Sequence, residues 1–214
     1  MPVRVVLADD HTMVRQGLRA ILESDGRITV IGEAQDGLAV VSMVEKLKPD
    51  VAVLDLMMPK LNGLEVTRQI AKITHVLIVS MHENEAYVLE ALRNGAYGYI
   101  LKDSTAQELI DAVTKVANGL RYLSSSLSER AIDYYTQQTQ ATSFEPYDTL
   151  TTREREVFQL MAEGLSNIEI SASLKISPRT VEIHKSNVMH KLNLATQIDI
   201  VRYAIRRGIL PLEG

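Results

Sequence analysis

The chain has 214 residues, 46% of them apolar, which is enough for one large or two small cores. It contains no cysteine, so a disulfide scaffold and thiol chemistry are excluded and a reducing cytoplasm is the expected home. A formal net charge of −4 excludes a generally basic coat for nucleic acid, and no apolar run approaches the roughly 18 residues of a membrane span.

The amino terminus, Met1 to Arg4, enters a strand directly and lacks signal-peptide architecture, so a soluble intracellular protein is expected. Val3 to Ala8 reads as strand one and runs into Asp9-Asp10. Thr12 to Glu23 carries Val14, Leu18, Ile21 and Leu22 at helical spacing. Ile28 to Ile31 reads as strand two and Leu38 to Leu47 as helix two. Val51 to Leu54 has the valine-rich character of a buried parallel strand, ends on Asp55, and is stopped by Pro59. Asn62-Gly63 opens helix three, and His75 to Val79 is a fourth strand ending on Ser80. Glu83 to Arg93 is helix four, closed by Asn94-Gly95, and Gly98 to Leu101 is a fifth strand ending on Lys102. Ser104-Thr105-Ala106-Gln107 fits a capping box for helix five, which ends near Asn118-Gly119. Five successive βα units imply a doubly wound parallel sheet.

In such a sheet, ligands bind beyond the carboxyl ends of the strands. Asp55 alone could be a turn cap, since Asp is common at strand ends. Asp9, Asp10, Ser80 and Lys102 end other strands in the same way, so carboxylates, a hydroxyl and an amine converge on one edge. Clustered carboxylates raise one another's pKa unless a cation relieves them. Mg²⁺ takes one or two carboxylates together with phosphate oxygens. A carboxylate beside Mg²⁺ and a lysine can accept a phosphoryl group as an aspartyl phosphate. His11 and His82 flank this pocket without companions at metal-ligand spacing.

Asp9-Asp10, Asp55 with Met58-Pro59 and Asn62-Gly63, Ser80, and Gly98 to Lys102 together resemble the receiver domain of a two-component response regulator. The resemblance implies a flavodoxin-like fold with strand order 2-1-3-4-5. It implies that a sensor histidine kinase phosphorylates Asp55 and that Mg²⁺ is held by Asp10, Asp55 and the Met57 backbone carbonyl, with Asp9 assisting. Lys102 and Ser80 would engage the phosphoryl oxygens. Ser80 and Tyr99 would shift together and change the surface around helix four and strand five.

Residues 1–121 form the expected receiver, 122–147 a helix and linker, and 148–214 a second domain. Leu127 to Tyr135 reads as one further helix, and Thr136 to Thr149 as a polar linker. The receiver segment has net charge −3, the connecting segment −2 and the last segment +1. Lys175, Arg179, Lys185 and Lys191 concentrate the basic charge locally. Thr151 to Glu154 and Ser166 to Glu169 are capping boxes for two helices, the first with Val157, Leu160, Met161 and Leu165 as its apolar stripe. Ser177 caps a third helix with Pro178 at its first position, and Ile176 and Val181 can staple across that cap. Two helices joined by so short a turn form a helix-turn-helix. At about 100° per residue, Val181, Lys185, Val188 and Leu192 share one side of the third helix. Glu182, Ile183, Ser186, Asn187 and His190 take the other, while His184 lies toward the packed side.

Leu150 to Val157, Gly164 to Asn167, Ile176 to His184 and Val188 to Leu192 resemble the LuxR-type DNA-binding domain of NarL/FixJ-family response regulators. That resemblance implies base contacts from Glu182, Ile183 and Ser186, and phosphate contacts from Thr180, Lys185 and Asn187. Arg179 adds positive charge at the helix start. None of the three base-facing positions is Lys or Arg, so the common bidentate contact to guanine is missing there. The last helix, Thr196 to Arg207, has Ile198, Val201 and Ile205 on one face and Ile200 and Ala204 on another. The resemblance favours homodimerisation through this helix, with Ile200 and Ala204 as the expected face. The whole reads as a bacterial cytoplasmic transcription regulator that binds two-fold promoter DNA, with RNA polymerase as a further partner, and is not an enzyme. The rival readings are a phosphorylation-independent interaction module and a metal-dependent phosphatase. The phosphatase would need an acid where Met57 stands.

Overall fold

In the computed structural model, which describes residues 1–124, 127 and 146–210, alternate residues of each central strand feed two separate apolar layers. Val6, Ala8, Ala52, Leu54, Val76 and Ile78 face one layer, while Val5, Leu7, Val51, Val53, Leu77 and Val79 face the other. A strand buried on both faces has no solvated side, which is why β3 reads as a continuous apolar run. The chain divides into two compact units, 1–140 and 141–214.

The first unit alternates β1 (Val3–Ala8), α1 (Thr12–Ser24), β2 (Ile28–Ala34), α2 (Gly37–Leu47), β3 (Val51–Asp55) and α3 (Gly63–Ile70). It continues through β4 (His75–Ser80), α4 (Glu85–Arg93), β5 (Gly98–Leu101), α5 (Ala106–Ala117) and β6 (Tyr122–Leu123). The sheet is parallel throughout, in the order β2-β1-β3-β4-β5-β6. Helices α1 and α5 cover one face, and α2, α3 and α4 the other.

The expected five strands are thus six. Residues Tyr122 and Leu123 pair with Gly98 and Tyr99, covering part of an otherwise open edge of β5. Gly98 makes room for this, since a Cβ there would lie 2.9 Å from the Tyr122 carbonyl oxygen and 2.7 Å from Leu77 Cδ1. The connecting segment therefore begins with a strand. Helix five also starts one residue later than expected. Thr105, not Ser104, accepts from the backbone N–H three residues on, at Glu108 (3.2 Å). Asn84 caps α4, so that helix opens at Glu85 and not at Glu83.

The first element among the described residues of the second unit is a 3₁₀ turn, Pro146–Thr149, where linker was expected. Tyr147 is buried against Phe158 and Tyr203, with the Arg155 guanidinium 4.7 Å from its ring centre, so this end of the connection is packed. Four helices follow: α6 (Thr152–Ala162), α7 (Asn167–Leu174), α8 (Pro178–Lys191) and α9 (Gln197–Arg206). Both expected capping boxes form, and Thr196 with Asp199 supplies a third. Helix α6 is buried from Glu154 to Ala162 and is the axis of the unit. The expected helix over 127–135 lies outside the described residues, except for Leu127, which joins the first unit's core.

One expectation is reversed. Ile200 and Ala204, expected as the dimer face, are 2% and 0% exposed and pack toward α6. Ile198, on the opposite side, is 68% exposed. An apolar pattern on two sides of a helix cannot say which side meets its own domain.

Candidate functional site

The site in the first unit is built from strand ends in register. Ala8 pairs with Leu54, Asp55 with Val79 and Ser80 with Leu101, so the residues that follow open onto one edge. Asp55 sits at the end of β3, only 5% exposed. Behind it, the Gly63 N–H donates to the Leu56 carbonyl at 2.7 Å. A Cβ at Gly63 would fall 2.3 Å from the Asp55 carbonyl oxygen, so only glycine lets the start of α3 sit this close. Asn62 caps the same helix through the Glu65 N–H.

Lys102 ties the edge together. Its Nζ lies 2.7 Å from Asp9 Oδ2 and 2.9 Å from Asp55 Oδ2. Burial raises the Asp55 pKa and the Asp9 charge adds to it, against the Lys102 hydrogen bond that favours the carboxylate. Burial also works against the Lys102 ammonium, but its bonds to Asp9 and Asp55 outweigh that and raise its pKa. Asp9 is fully buried, and its Oδ1 accepts the His11 N–H at 2.8 Å. Asp10 is on the open side, its Oδ1 2.8 Å from His11 Nδ1. One ligand atom from each of Asp9, Asp10, His11 and Asp55 falls within 4.8 Å of the others. Three carboxylates grouped so closely suit a hard divalent cation. Met57, two residues beyond Asp55, is half-buried against the apolar layer.

Ser80 and Tyr99 meet at one residue. The Ser80 Oγ accepts the His82 N–H at 3.1 Å, and the Tyr99 hydroxyl donates to the His82 carbonyl at 2.7 Å. Tyr99 is fully buried; burial raises its pKa, with the Ser80 hydroxyl acting in the opposite sense. Sequence reasoning left His11 and His82 outside the site, yet His11 joins the donor cluster and the backbone of His82 joins Ser80 to Tyr99. Nor did it single out Arg15, which is buried beside the site with its Nη1 2.7 Å from the Asp9 carbonyl oxygen. The available signal was its place on the apolar stripe of α1, three and seven residues before Leu18 and Leu22.

In the second unit, Val181, Val188 and Leu192 are buried, and Glu182, Ile183, Ser186, Asn187 and His190 are exposed, as the helical plot requires. Ile183 is 51% exposed. Arg179 projects into solvent, 3.4 Å from Glu182, and Thr180 is held at the cap by Ser177. Lys185 is half-buried and donates to Asn167 Oδ1 at 2.8 Å, linking α8 to the first turn of α7. At the far end of α8, Lys191 Nζ lies 2.6 Å from Glu154 Oε2 and also reaches the Thr149 carbonyl. Burial opposes ionisation of Glu154, but Lys191 and the Thr151 cap outweigh it and hold its pKa below the ordinary range. His184 is half-buried with Nδ1 sealed from solvent, as expected of a packed histidine.

The family models agree with this division of labour. Residues 5–114 match the response regulator receiver domain, and residues 148–204 match the bacterial regulatory proteins of the luxR family. The transcriptional regulatory protein DegU of Brevibacillus brevis is 36% identical over 96% of this chain and 94% of its own length. The chain belongs to the NarL/FixJ-type response regulators. The oxygen regulatory protein NreC of Staphylococcus epidermidis is 37% identical, covering 97% of this response regulator and 99% of the relative. Among solved structures, the response regulator ChrA of a heme-sensing two-component system is 34% identical over 98% of this chain and 99% of its own, with a TM-score of 0.53. A complex of the response regulator RcsB with DNA is 27% identical over 95% and 98%, with a TM-score of 0.58. These relatives are regulatory proteins, and the phosphatase reading gains no support from them. No described helix of this response regulator is long and apolar enough to cross a membrane.

Proposed function

We propose that Asp55 is the phosphoacceptor of this response regulator and that a sensor histidine kinase is its donor. The carrying observation is the Lys102 ammonium bridging buried Asp9 and Asp55 on the edge where β4 also ends, at Ser80. An Asp55 carboxylate oxygen attacks phosphorus, a P–O bond forms and the P–N bond to the kinase imidazole breaks. The departing electron pair stays on the imidazole nitrogen, which takes up a proton. Lys102 and the Ser80 hydroxyl receive the phosphoryl oxygens. Asp10, Asp55 and the Met57 carbonyl, with Asp9 in support, are the set that would hold Mg²⁺. When bound, the ion neutralises charge on the transferring group.

Turning Ser80 toward the phosphoryl group takes its Oγ from the His82 N–H, and the His82 carbonyl is what Tyr99 holds. The switch would pass through that residue to the surface around α4 and β5. In the second unit, Glu182, Ile183 and Ser186 would read base edges, with Arg179, Thr180, Lys185 and Asn187 toward phosphates. The exposed side of α9, with Ile198 near its start followed by Val201 and Ile205, replaces the buried face as the surface for a two-fold dimer on promoter DNA. The cytoplasm is the compartment this activity requires, and RNA polymerase is the partner a promoter-bound regulator would meet.

Labelling with acetyl phosphate in Mg²⁺ tests the acceptor. Asp55→Asn is expected to lose an acid-stable, base-labile phosphate that wild type gains. A variant that still gains it places the acceptor on another carboxylate.

A further inference from the structure

We infer that Arg15 is a positioning residue for the divalent-cation site, acting through the peptide bond between Asp9 and Asp10. This rests on the reading that the acidic pocket holds Mg²⁺. Arg15 is only 6% exposed, an unusual place for a guanidinium on a surface helix. Its Nη1 donates to the Asp9 carbonyl at 2.7 Å, and its Nε lies 3.2 Å from Glu33 Oε2 at the end of β2. Glu33 is also held by Arg19, so the guanidinium is seated in a paired cluster.

The Asp9 carbonyl belongs to the planar unit whose nitrogen is that of Asp10. Fixing this oxygen therefore fixes the plane from which the Asp10 side chain departs. The other restraints on the turn hold Asp9: its N–H reaches the Ala34 carbonyl at 3.3 Å, and its Oδ1 takes the His11 N–H. The Asp10 carboxylate is 35% exposed and has exposed His11 as its side-chain partner. Its direction is thus set from below, by Arg15. Because Glu33 offsets the guanidinium charge, the role is geometric, and the planar fork is what reaches both partners.

The test is a Mg²⁺ titration of the ¹⁵N-labelled full chain, followed at the Asp10 and Asp55 amides, with melting temperature and acetyl phosphate labelling measured alongside. Arg15→Met is expected to bind Mg²⁺ about tenfold more weakly, the lower end of the cost of losing a group that orients a metal ligand. At saturating Mg²⁺ its labelling rate should return to within about threefold of wild type, because mass action offsets a misplaced ligand. Arg15→Lys keeps one donor for the carbonyl but cannot also hold Glu33, and should lie between, about threefold weaker. Glu33→Gln preserves an acceptor for Nε and should stay within about twofold of wild type. A lower melting temperature in Arg15→Met with unchanged Mg²⁺ affinity would mean that the residue only supports the fold, and overturns the inference. A Glu33→Gln loss as large as that of Arg15→Met would make charge the cause and overturns it too. If Arg15→Met does not fold, Arg15→Lys decides, and an affinity equal to wild type counts against the proposal. Wild-type amides that ignore Mg²⁺ would instead remove the underlying reading of the pocket.

Discussion

Replacing Lys102 with methionine leaves two buried carboxylates facing each other with their shared cation gone. Their ligand atoms lie within 4.8 Å. At an effective dielectric of about 20, two unit charges at that separation repel by about 3.5 kcal/mol. This agrees with the roughly 3–5 kcal/mol seen when one member of a buried ion pair is removed. The loss should depend on pH. Asp55 already has a raised pKa, so the folded state holds its proton more tightly than the unfolded chain does. Such a group contributes stability below the ordinary carboxylate range that is lost as pH rises through its folded value. Without Lys102 the effect grows. Lys102→Met should therefore be about 3 kcal/mol less stable than wild type near pH 8 in chelator, and the gap should narrow markedly toward about pH 5. Millimolar Mg²⁺ should also narrow it at the higher pH. Urea titration read by amide exchange in β3 and β4 confines the signal to the receiver. A gap independent of both pH and Mg²⁺ would show that Lys102 contributes packing and does not relieve charge.

Ser80→Ala should accept phosphate at Asp55 yet dimerise and bind DNA weakly when phosphorylated, as measured by sedimentation and DNA titration, since a ligand shifts a two-state equilibrium only through differential contacts. Wild-type coupling in that variant would remove Ser80 from the switch. Ile183→Ala should cost about 1–3 kcal/mol on the preferred duplex and almost nothing on a scrambled one, while Arg179→Ala should weaken both and reduce the salt dependence. Equal losses on both duplexes for Ile183→Ala would mean that it reads no bases. Ile200→Ala should destabilise the second unit by about 2–5 kcal/mol in thermal unfolding, as for any buried isoleucine, whereas Ile198→Asp should leave the fold intact and abolish dimerisation.

The convergence of Asp9, Asp55, Ser80 and Lys102 was legible because parallel strands in register carry their ends to one edge. Asp9, Asp55, Ser80 and Lys102 each follow an apolar run whose length could be read directly. The exposed face of α8 was legible for a similar reason, since a 3.6-residue period separates Val181 and Val188 from Ile183 and Ser186. Local alternatives defeated the reading elsewhere. Ser104 and Thr105 are both good caps by residue type, so local sequence does not choose between them. Two residues, Tyr122 and Leu123, are too few to show a strand period. Ile200 and Ile198 differ in burial only because α6 lies on one side of α9, a tertiary fact that no window of sequence contains. Arg15 was hidden by its residue type, because a charged side chain on a helix is usually a solvated one.

Two lysines fasten α8 to the rest of the unit, Lys185 at its middle to Asn167 and Lys191 at its last residue to Glu154. Glu182, Ile183, Ser186 and Asn187 are exposed and take no part in either bond. Mount and lettering are separate parts. On the proposed reading, exchanging Glu182, Ile183 and Ser186 for another set should change the preferred operator without re-engineering the scaffold. New promoters could then be acquired by a few surface substitutions while the receiver domain stays as it is.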